Sequence, residues 1–289
     1  MEPKFSIIVP VYQHWCFIGG LLSQLENQSF AKSEFELILV ANDPPVAFLA
    51  RNYSFSLRVL RCYVPGSYAA RNLGVKFARG EWLLFTDADC LPKPCWVEKI
   101  NSALLESNHQ RTLFAGRIIS AENISDCDVY QMYDCLKGIP QEQYVQVGVA
   151  ATANLAVRKQ FAEQVGAFDE KLYSGGDFDF CHRARAHGGR LVYLSQAIVA
   201  HRVRGSWSGL AVKARRVKGG QYSSNHGIGR FGVIVRTFFP PLRSVFYFLS
   251  RSEYPLRFRL FSILVQFKLW FVEIFELVKL MAGGAPERR

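Results

Sequence analysis

The sequence lacks paired cysteines. Its seven cysteines are odd in number and scattered along 289 residues, and none forms a Cys-x-x-Cys pair. This pattern predicts neither a zinc site nor a disulfide framework, and it favours a reducing compartment such as the cytosol. The N-terminus also lacks a basic segment followed by an apolar one, so we expect no secretory signal. Because 49% of the residues are apolar, a disordered chain is excluded.

Acidic residues are scarce in the last third of the chain. Residues 201–289 carry 16 Lys/Arg and 4 Asp/Glu, a balance of +12. The whole chain has a net charge of +11, so residues 1–200 sum to −1. A basic tail rich in aromatic residues indicates contact with an anionic partner, which could be lipid, nucleic acid or nucleotide phosphate. A nucleic-acid-binding protein needs a groove-reading motif or an aromatic platform, and neither is present, so we expect no nucleic-acid partner.

The tail also lacks a long apolar run free of charges. Residues 259–281 are numerous enough to span a bilayer, and six arginines between positions 230 and 259 precede or begin this segment. On a helical wheel its polar residues all fall in one half, and the other half is apolar. The segment is therefore predicted to be an amphipathic helix, which either lies at a membrane interface or covers the preceding domain. The polar half comprises Ser262, Gln266, Lys268, Glu273, Glu276 and Lys279.

Apolar runs alternate with helical patterns along the first ninety residues. This alternation predicts βαβ units and an α/β fold with a mainly parallel sheet. The predicted strands of this part are residues 5–11, 36–41, 57–63 and 82–86, and its helices are residues 19–28 and 67–79. Further along, the patterns predict strands at residues 113–119, 147–157 and 190–194 and helices at residues 94–107, 177–188 and 207–219.

Two aspartates, Asp87 and Asp89, follow the apolar strand at residues 82–86. The carboxyl end of such a strand lies at the sheet edge where open α/β folds bind ligands. If the strand geometry persists, both side chains point the same way, because strand residues two apart share a face. Neighbouring carboxylates suit a hard divalent cation that carries phosphates. The alternative is a polar loop in which Asp89 caps the helix near Pro94.

Six ordered segments resemble the family 2 glycosyltransferases, which have the nucleotide-sugar-binding fold called GT-A. The resemblance covers about residues 4–205. It implies a mixed, mainly parallel sheet with helices on both faces, to which the sequence adds C-terminal amphipathic helices. The matching segments are FSIIVPVY at 5–12, GSYAARNLG at 66–74, GEWLLFTDAD at 80–89, ANLAVR at 153–158, VGAFD at 165–169 and GGDFDFCHR at 175–183.

The resemblance implies roles in binding a nucleoside-diphosphate sugar, with a UDP-type donor favoured. Tyr12 either stacks on the base or covers the core at a strand end. The family usually has paired acids after the second strand, and this chain has Asn42 and Asp43, which leaves the base open. The guanidinium of Arg71 suits a phosphate or a base carbonyl. The full set implied for the nucleotide sugar is Pro10, Tyr12, Asn42, Asp43, Arg71, Asn72, Asp87 and Arg215.

The same resemblance implies a divalent metal, Mn²⁺ or Mg²⁺, on the donor diphosphate. The implied metal-site residues are Asp87, Asp89 and His201. Asp89 would bind the metal, and Asp87 would contact the ribose or metal-bound water. His201, which follows the last predicted strand, would complete the metal shell or touch the diphosphate. The metal would act as a Lewis acid for the leaving nucleoside diphosphate.

Asp177 is the candidate general base of an inverting transfer. It would take the proton of an acceptor hydroxyl as that oxygen attacks the anomeric carbon. The alternative is a helix N-cap without catalytic function. The family has an acidic residue before this aspartate, and Gly176 stands there instead. Asp179 is expected to be structural and to pair with Arg183 one turn later.

The sequence predicts a catalytic domain at residues 1–222 and a basic helical region at residues 223–289. The acceptor is expected to be a glycan or a lipid-linked or cell-surface polysaccharide precursor. The C-terminal region is expected to place the enzyme peripherally on the cytoplasmic face of a membrane. Two alternatives remain, a non-catalytic module attached to a membrane and a basic nucleic-acid-binding protein. A nucleotidyltransferase is disfavoured because the first strand is not followed by a glycine-rich loop.

Overall fold

One mixed sheet organises the first part of the chain in this computed structural model, which describes residues 2–45, 52–106, 110–123, 126–225 and 227–287. These residues form eight strands: β1 (Phe5–Val11), β2 (Phe35–Ala41), β3 (Ser56–Arg61), β4 (Trp82–Phe85), β5 (Cys90–Pro92), β6 (Thr112–Ser120), β7 (Leu155–Arg158) and β8 (Arg190–His201). Their order in the sheet is β3-β2-β1-β4-β7-β6-β8-β5. Neighbours among the first four strands of this order are parallel, whereas the β4–β7, β6–β7 and β5–β8 pairs are antiparallel.

Helices connect the strands and form most of the C-terminal part. The described residues contain α1 (Trp15–Glu26), α2 (Ser67–Phe77), α3 (Trp96–Leu105), α4 (Val129–Lys137), α5 (Gln141–Gln146), α6 (Lys159–Gln164), α7 (Gly176–Ala186), α8 (Trp207–Ser224), α9 (Gly227–Phe238), α10 (Leu242–Ser250) and α11 (Leu256–Met281). Short 3₁₀ turns lie at Lys32–Glu34 and Thr152–Asn154. None of these helices is both long and apolar enough to cross a membrane.

Helices pack on both faces of the sheet, as predicted. Alternate residues of β1 and β2, such as Ile7 and Leu37, share a buried core with residues of α1 and α3. The residues between them face α2, because a Cβ added at Gly74 would lie 2.4 Å from Ile8 and 3.4 Å from Val40. Strands buried on both faces explain why β1 and β2 appear in the sequence as continuous apolar runs. The predicted GT-A-like arrangement of strands and helices is therefore confirmed.

The region between β6 and β8 differs from the prediction. Residues 147–157 were expected to form one strand, but the strand begins only at Leu155 and a 3₁₀ turn precedes it. The buried amide of Gln141 exchanges hydrogen bonds with the backbone of Ala151 and also donates to the carbonyl of Asn154. These bonds satisfy the backbone without a neighbouring strand. Helix α5 was not predicted, and β8 continues to His201 instead of ending at 194.

The chain packs into two compact units. The first comprises Met1–Ile119, Ile139–Glu170 and Gly176–Arg202, and it contains nearly all of the sheet. The second comprises Ser120–Gly138, Lys171–Gly175 and Val203–Arg289. The second unit has its own apolar core, centred on the fully buried Phe248 of α10. The division predicted from composition, residues 1–222 and 223–289, stays a prediction about domains.

The buried carboxylate of Glu36, in β2, connects this strand to β1 and to the residues that follow α2. Its oxygens accept hydrogen bonds from the Ser6 hydroxyl (2.7 Å), the Arg79 backbone N–H (2.7 Å) and the Arg79 guanidinium (2.9 Å). Arg58 lies 3.4 Å away. Burial alone would raise the pKa of Glu36, but these hydrogen bonds and the Arg79 charge outweigh it and hold the pKa below its usual value. The ionised form therefore stabilises the native state.

We expect Glu36→Gln to lower the free energy of unfolding at pH 7 by about 1.5–3 kcal/mol, the usual range for hydrogen bonds to a charged group. Because the folded-state pKa is lowered, the wild-type advantage is present above the usual glutamate pKa and is lost as the pH falls through the lowered value. Urea unfolding at neutral and acidic pH measures the difference. Glu106→Gln, at an exposed position, is the control, and a pH-independent difference would contradict this account.

Candidate active site

Asp87 and Asp89 lie in a tight turn between two strands. Strand β4 ends at Phe85, and the Thr86 hydroxyl then donates to the carbonyl of Ala153 at 2.9 Å. The Cys90 N–H donates to the carbonyl of Asp87 at 3.0 Å, and β5 begins there. The strand geometry on which the shared direction of the two side chains depended therefore ends before Asp87. Asp89 does not cap α3, whose N-cap is Cys95.

Asp87 binds a buried arginine of α2. The Nη2 atom of Arg71 lies 2.5 Å from Oδ1 of Asp87, and the Arg71 side chain is only 5% exposed. The guanidinium also lies 5.9 Å from the ring centroids of both Tyr68 and Phe168. Its Nε is buried and has no hydrogen-bond acceptor among the described residues. A buried guanidinium with an unused donor suits an anionic ligand such as a phosphate.

Asp177, in the first turn of α7, lies within electrostatic range of the same arginine. Its Oδ1 accepts a hydrogen bond from the N–H of Phe178 at 3.2 Å. Burial raises the pKa of Asp177 above its usual value, the positive charge of Arg71 opposes the rise, and the negative charge of Asp87 adds to it. The structure therefore brings together three of the predicted residues, although Arg71 and Asp87 are about one hundred positions from Asp177 in the sequence.

Tyr68 explains the glycine that precedes Asp177. The N–H of Gly176 donates to the Tyr68 hydroxyl oxygen at 2.8 Å. A Cβ at position 176 would lie 2.7 Å from two carbons of the Tyr68 ring, so a side chain there would displace the ring. The ring is stacked on Phe168 with a centroid distance of 6.0 Å. Neither Tyr68 nor Phe168 was predicted to lie at the site, although both belong to segments that resemble the family.

Asp89 faces His201, which the β5–β8 pairing places opposite Cys90. The His201 Nε2 and the Asp89 Oδ2 are 3.6 Å apart, and both side chains are about one-eighth exposed, at 12% and 13%. Asp89, Cys90 and His201 together could hold a metal ion. Burial and the charges of Asp87 and Asp89 raise the pKa of the Cys90 thiol well above its usual value, so it is a poor ligand at neutral pH.

The donor set at this position fits Mn²⁺ or Mg²⁺. A separation of 3.6 Å is too long for a hydrogen bond, and an ion could approach both the carboxylate oxygen and the imidazole nitrogen. Carboxylate oxygens are the ligands that these hard cations prefer. Asp87 is not part of this cluster, because its carboxylate is held by Arg71. A metal contact of Asp87 therefore stays a prediction.

The residues predicted to bind the nucleotide at β1 and β2 are neighbours at the carboxyl ends of these strands. Asp43 accepts hydrogen bonds from the Gln13 N–H (2.7 Å) and the Trp15 indole (3.0 Å). The Asn42 amide donates to the carbonyls of Cys62 (3.0 Å) and Val64 (2.8 Å), which a carboxylate could not do. Both side chains therefore shape the loops at this edge. Pro10 and Tyr12 lie beside them, since the Asn42 N–H donates to the carbonyl of Val11.

Two further predicted nucleotide-binding residues make structural contacts. The Asn72 amide donates to the Phe168 carbonyl (2.8 Å) and to Glu170 (2.9 Å), and it accepts from the Phe168 N–H (3.0 Å). It therefore fixes the loop at residues 168–170. Arg215, in α8 of the second unit, pairs with Glu287. Their nucleotide contacts remain predictions. Asp179 pairs with Arg183 at 2.8 Å, which confirms the predicted ion pair across α7.

Comparisons with known proteins agree on one family. The model of the family described as Glycosyl transferase family 2 matches residues 6–166. Glycosyltransferase AglE of Haloferax volcanii is 30% identical over 226 residues, which cover 76% of this chain and 73% of AglE. The pre-mycofactocin glycosyltransferase of Mycobacterium tuberculosis is 30% identical over 142 residues, 47% of this chain and 30% of that protein.

Solved glycosyltransferase structures share the fold at low sequence identity. The mannosyltransferase PcManGT from Pyrobaculum calidifontis, in complex with GDP-Man and Mn²⁺, has a TM-score of 0.58 at 13% identity. That comparison covers 97% of this chain and 88% of PcManGT. Residues 1–349 of S. aureus TarS, in complex with UDP-GlcNAc, give a TM-score of 0.54 at 18% identity, covering 97% of this chain and 92% of that one. The chain spans 55% of a longer TarS structure.

We expect Gly176→Ala to destabilise the protein by about 1–3 kcal/mol, because the added methyl group overpacks against the Tyr68 ring. Gly19→Ala is the matched control, since Gly19 lies inside α1 and a Cβ there would meet nothing within 4 Å. That control should stabilise by about 0.5–1 kcal/mol through helix propensity. Chemical unfolding measures both changes. Equal effects of the two substitutions would show that Tyr68 does not restrict position 176.

Proposed function

The chain belongs to the family 2 glycosyltransferases, and we propose that it moves a sugar from a nucleoside diphosphate to a hydroxyl acceptor with inversion at the anomeric carbon. The observation that carries this proposal is the approach of Asp177 to the Arg71–Asp87 pair. A general base must stand beside the group that binds the donor, because acceptor and donor react in contact. These three residues would meet that requirement, and all of them belong to one unit of the molecule.

Donor binding is assigned to the carboxyl ends of β1, β2 and β4. Pro10, Tyr12, Asn42 and Asp43 would surround the base and ribose, and Asp87 and Asn72 would complete this edge. Arg71 would direct its unused Nε–H toward the diphosphate. We propose a UDP-sugar as the donor, the class that the TarS complex holds. Arg215 would add positive charge for the phosphates.

Asp89 and His201 would hold a divalent cation, Mn²⁺ or Mg²⁺, near the diphosphate. Bound there, the ion would neutralise negative charge on the leaving nucleoside diphosphate. The neighbouring Cys90 would stay a protonated thiol and take no part. The PcManGT complex, which has the same fold, contains Mn²⁺. The metal is therefore part of the proposal, with Asp89 as its carboxylate ligand and Asp87 as a second contact.

The chemistry is a single displacement in which Asp177 removes a proton. The acceptor oxygen forms a bond to the anomeric carbon while the bond from that carbon to the diphosphate oxygen breaks. The hydroxyl proton passes to the Asp177 carboxylate, and the bonding electrons leave with the nucleoside diphosphate. A raised pKa makes Asp177 a stronger base than an ordinary aspartate. The positive charge of Arg71 opposes the rise in the Asp177 pKa and so favours the ionised form that accepts the proton.

The acceptor we propose is a glycan or a lipid-linked or cell-surface polysaccharide precursor. The proposed location is peripheral, on the cytoplasmic face of a membrane. All seven cysteines are free thiols, as a reducing compartment requires. The excess of positive charge in residues 201–289 favours an anionic membrane surface over a neutral one.

We expect Asp89→Asn to reduce Mn²⁺ affinity and to lower donor turnover by at least about 100-fold, because an amide is a weaker ligand than a carboxylate. Metal binding is measured by calorimetry, and release of nucleoside diphosphate is measured with a panel of donors. Glu106→Gln, which also removes one negative charge, should change neither. Turnover by Asp89→Asn at the wild-type rate would exclude this metal site.

We expect Asp177→Asn to lower turnover by about 10²–10⁴-fold, the usual contribution of a general base. The same substitution should raise the melting temperature at neutral pH. Because the folded-state pKa of Asp177 is raised, its ionisation costs stability as the pH rises through that value, and an amide removes this cost. Turnover and thermal unfolding are measured together. Lower stability with unchanged turnover would indicate a helix-capping residue instead of a base.

A further inference from the structure

The long helix α11 presents its apolar half to solvent. Within the predicted polar half, Ser262, Gln266 and Glu276 are buried. The Gln266 carbonyl oxygen accepts a hydrogen bond from the hydroxyl of the buried Tyr133 at 3.0 Å. The opposite half is outward, and its exposed members are Leu260, Leu264, Phe271, Phe275, Val278 and Met281. The inward face of α11 also carries the buried apolar residues Val265, Leu269, Leu277 and Leu280. The helix therefore has apolar residues on both sides, and a helix that only covered its own domain would need none on the outer side.

The two preceding helices expose apolar stripes of the same kind. In α9, Ile228, Phe231, Val235 and Phe238 follow helical spacing and are all exposed. In α10, Leu242, Phe246 and Leu249 do the same. Of the 23 large apolar side chains exposed among the described residues, 16 lie between positions 228 and 281. We call these 16 residues the outer apolar surface. Such a concentration marks an interaction site and exceeds the scattered exposure of ordinary surfaces.

The charges around the outer apolar surface are predominantly positive. Residues 227–287 contain eight Lys/Arg and four Asp/Glu. All four carboxylates are already paired: Glu253 with Arg251, Glu273 with Lys218, Glu276 with Lys279 and Glu287 with Arg215. Arg236 and Arg243 are exposed, and no carboxylate among the described residues pairs with them. The partner must therefore offer both an apolar region that takes up the side chains of the outer apolar surface and negative charge beside it.

Three kinds of partner can be compared against these two requirements: a second copy of the chain, a nucleic acid and an anionic bilayer. A second copy of the chain that used the same surface would bring like charges together, which costs free energy. A nucleic acid would satisfy the arginines and would leave the exposed phenylalanines in water. An anionic bilayer offers headgroup phosphates at its surface and acyl chains directly below.

We propose that the outer apolar surface inserts into the interfacial layer of an anionic lipid membrane. This inference deepens the proposed function, because it assigns the peripheral membrane contact to a defined surface of the second unit. Helices α9, α10 and α11 would lie along the membrane with their phenylalanines among the acyl chains. Arg236 and Arg243 would contact the phosphates, and the buried face of α11, with Ser262, Gln266 and Glu276, would stay inside the protein.

The test is co-sedimentation of the full chain with vesicles of phosphatidylcholine alone or of phosphatidylcholine with phosphatidylglycerol. The wild type should bind the anionic vesicles more tightly. The triple variant Phe231→Ser, Phe246→Ser and Phe275→Ser should bind at least about 100-fold more weakly, since it removes three large apolar contacts. The matched control, Tyr63→Ser, Leu105→Ser and Val147→Ser, changes side chains of similar exposure outside the surface and should bind as the wild type does.

The arginines are tested separately. Arg236→Gln with Arg243→Gln should weaken binding to anionic vesicles by roughly 30-fold, at about 1 kcal/mol for each charge, and should leave the weak binding to neutral vesicles unchanged. Circular dichroism checks that each variant is folded. Unchanged vesicle binding by the folded triple phenylalanine variant would overturn the proposal. A wild-type dimer that this variant dissolves, seen by light scattering, would also overturn it and would assign the surface to a second copy.

Vesicle binding is measured without any sugar donor, so it is independent of the proposed chemistry. Asp177→Asn should bind vesicles as the wild type does while its turnover is lost. Wild-type protein that fails to bind vesicles but releases nucleoside diphosphate would refute the membrane surface alone. Binding without turnover on any donor would refute the proposed transfer alone.

Discussion

The ion pair between Arg71 and Asp87 is the interaction on which the candidate active site depends. Asp87 and Asp177 both carry carboxylates near this arginine, and the negative charge of Asp87 raises the pKa of Asp177. The buried Arg71 guanidinium interacts with both carboxylates. It binds Asp87 directly, and its positive charge opposes the raised pKa of Asp177. Its stacking near Tyr68 and Phe168 fixes its position. Without this cation, the two carboxylates would be difficult to keep ionised together.

Much of the sheet could be predicted from sequence because its central strands are buried on both faces. Continuous apolar runs locate β1, β2 and β4 within a residue or two, and the family-like segments locate Asp87, Asp89 and Asp177. Residues 147–157 could not be assigned in the same way. Small apolar residues there have no clear period, and the conformation is set by hydrogen bonds from the Gln141 side chain. Tertiary contacts of this kind leave no local signal.

The orientation of α11 shows a different limit of sequence reasoning. The helical wheel grouped the polar residues, but the inward face combines Ser262, Gln266 and Glu276 with buried leucines, whereas Lys268 and Lys279 are exposed. Polar partners inside the second unit favour this orientation. Tyr133 binds Gln266, and Lys218 pairs with Glu273 while it also donates to Thr237. Buried polar groups generally need partners, so these contacts favour the orientation in which Gln266 and Glu273 face the second unit and the phenylalanines at 271 and 275 face outward.

The glycine at position 176 does not count against catalysis, although the family has an acidic residue there. The Tyr68 ring occupies the volume that a side chain would need, and its hydroxyl oxygen accepts the Gly176 N–H at the start of α7. The helix that carries Asp177 is therefore anchored by an aromatic residue of α2. Since Arg71 follows Tyr68 by one turn of the same helix, α2 positions both the helix that carries the proposed base and the cation near it. The buried guanidinium with an unused donor and the anchored carboxylate beside it suit donor binding and proton transfer, so the proposed transfer accounts for more of this arrangement than a non-catalytic module does.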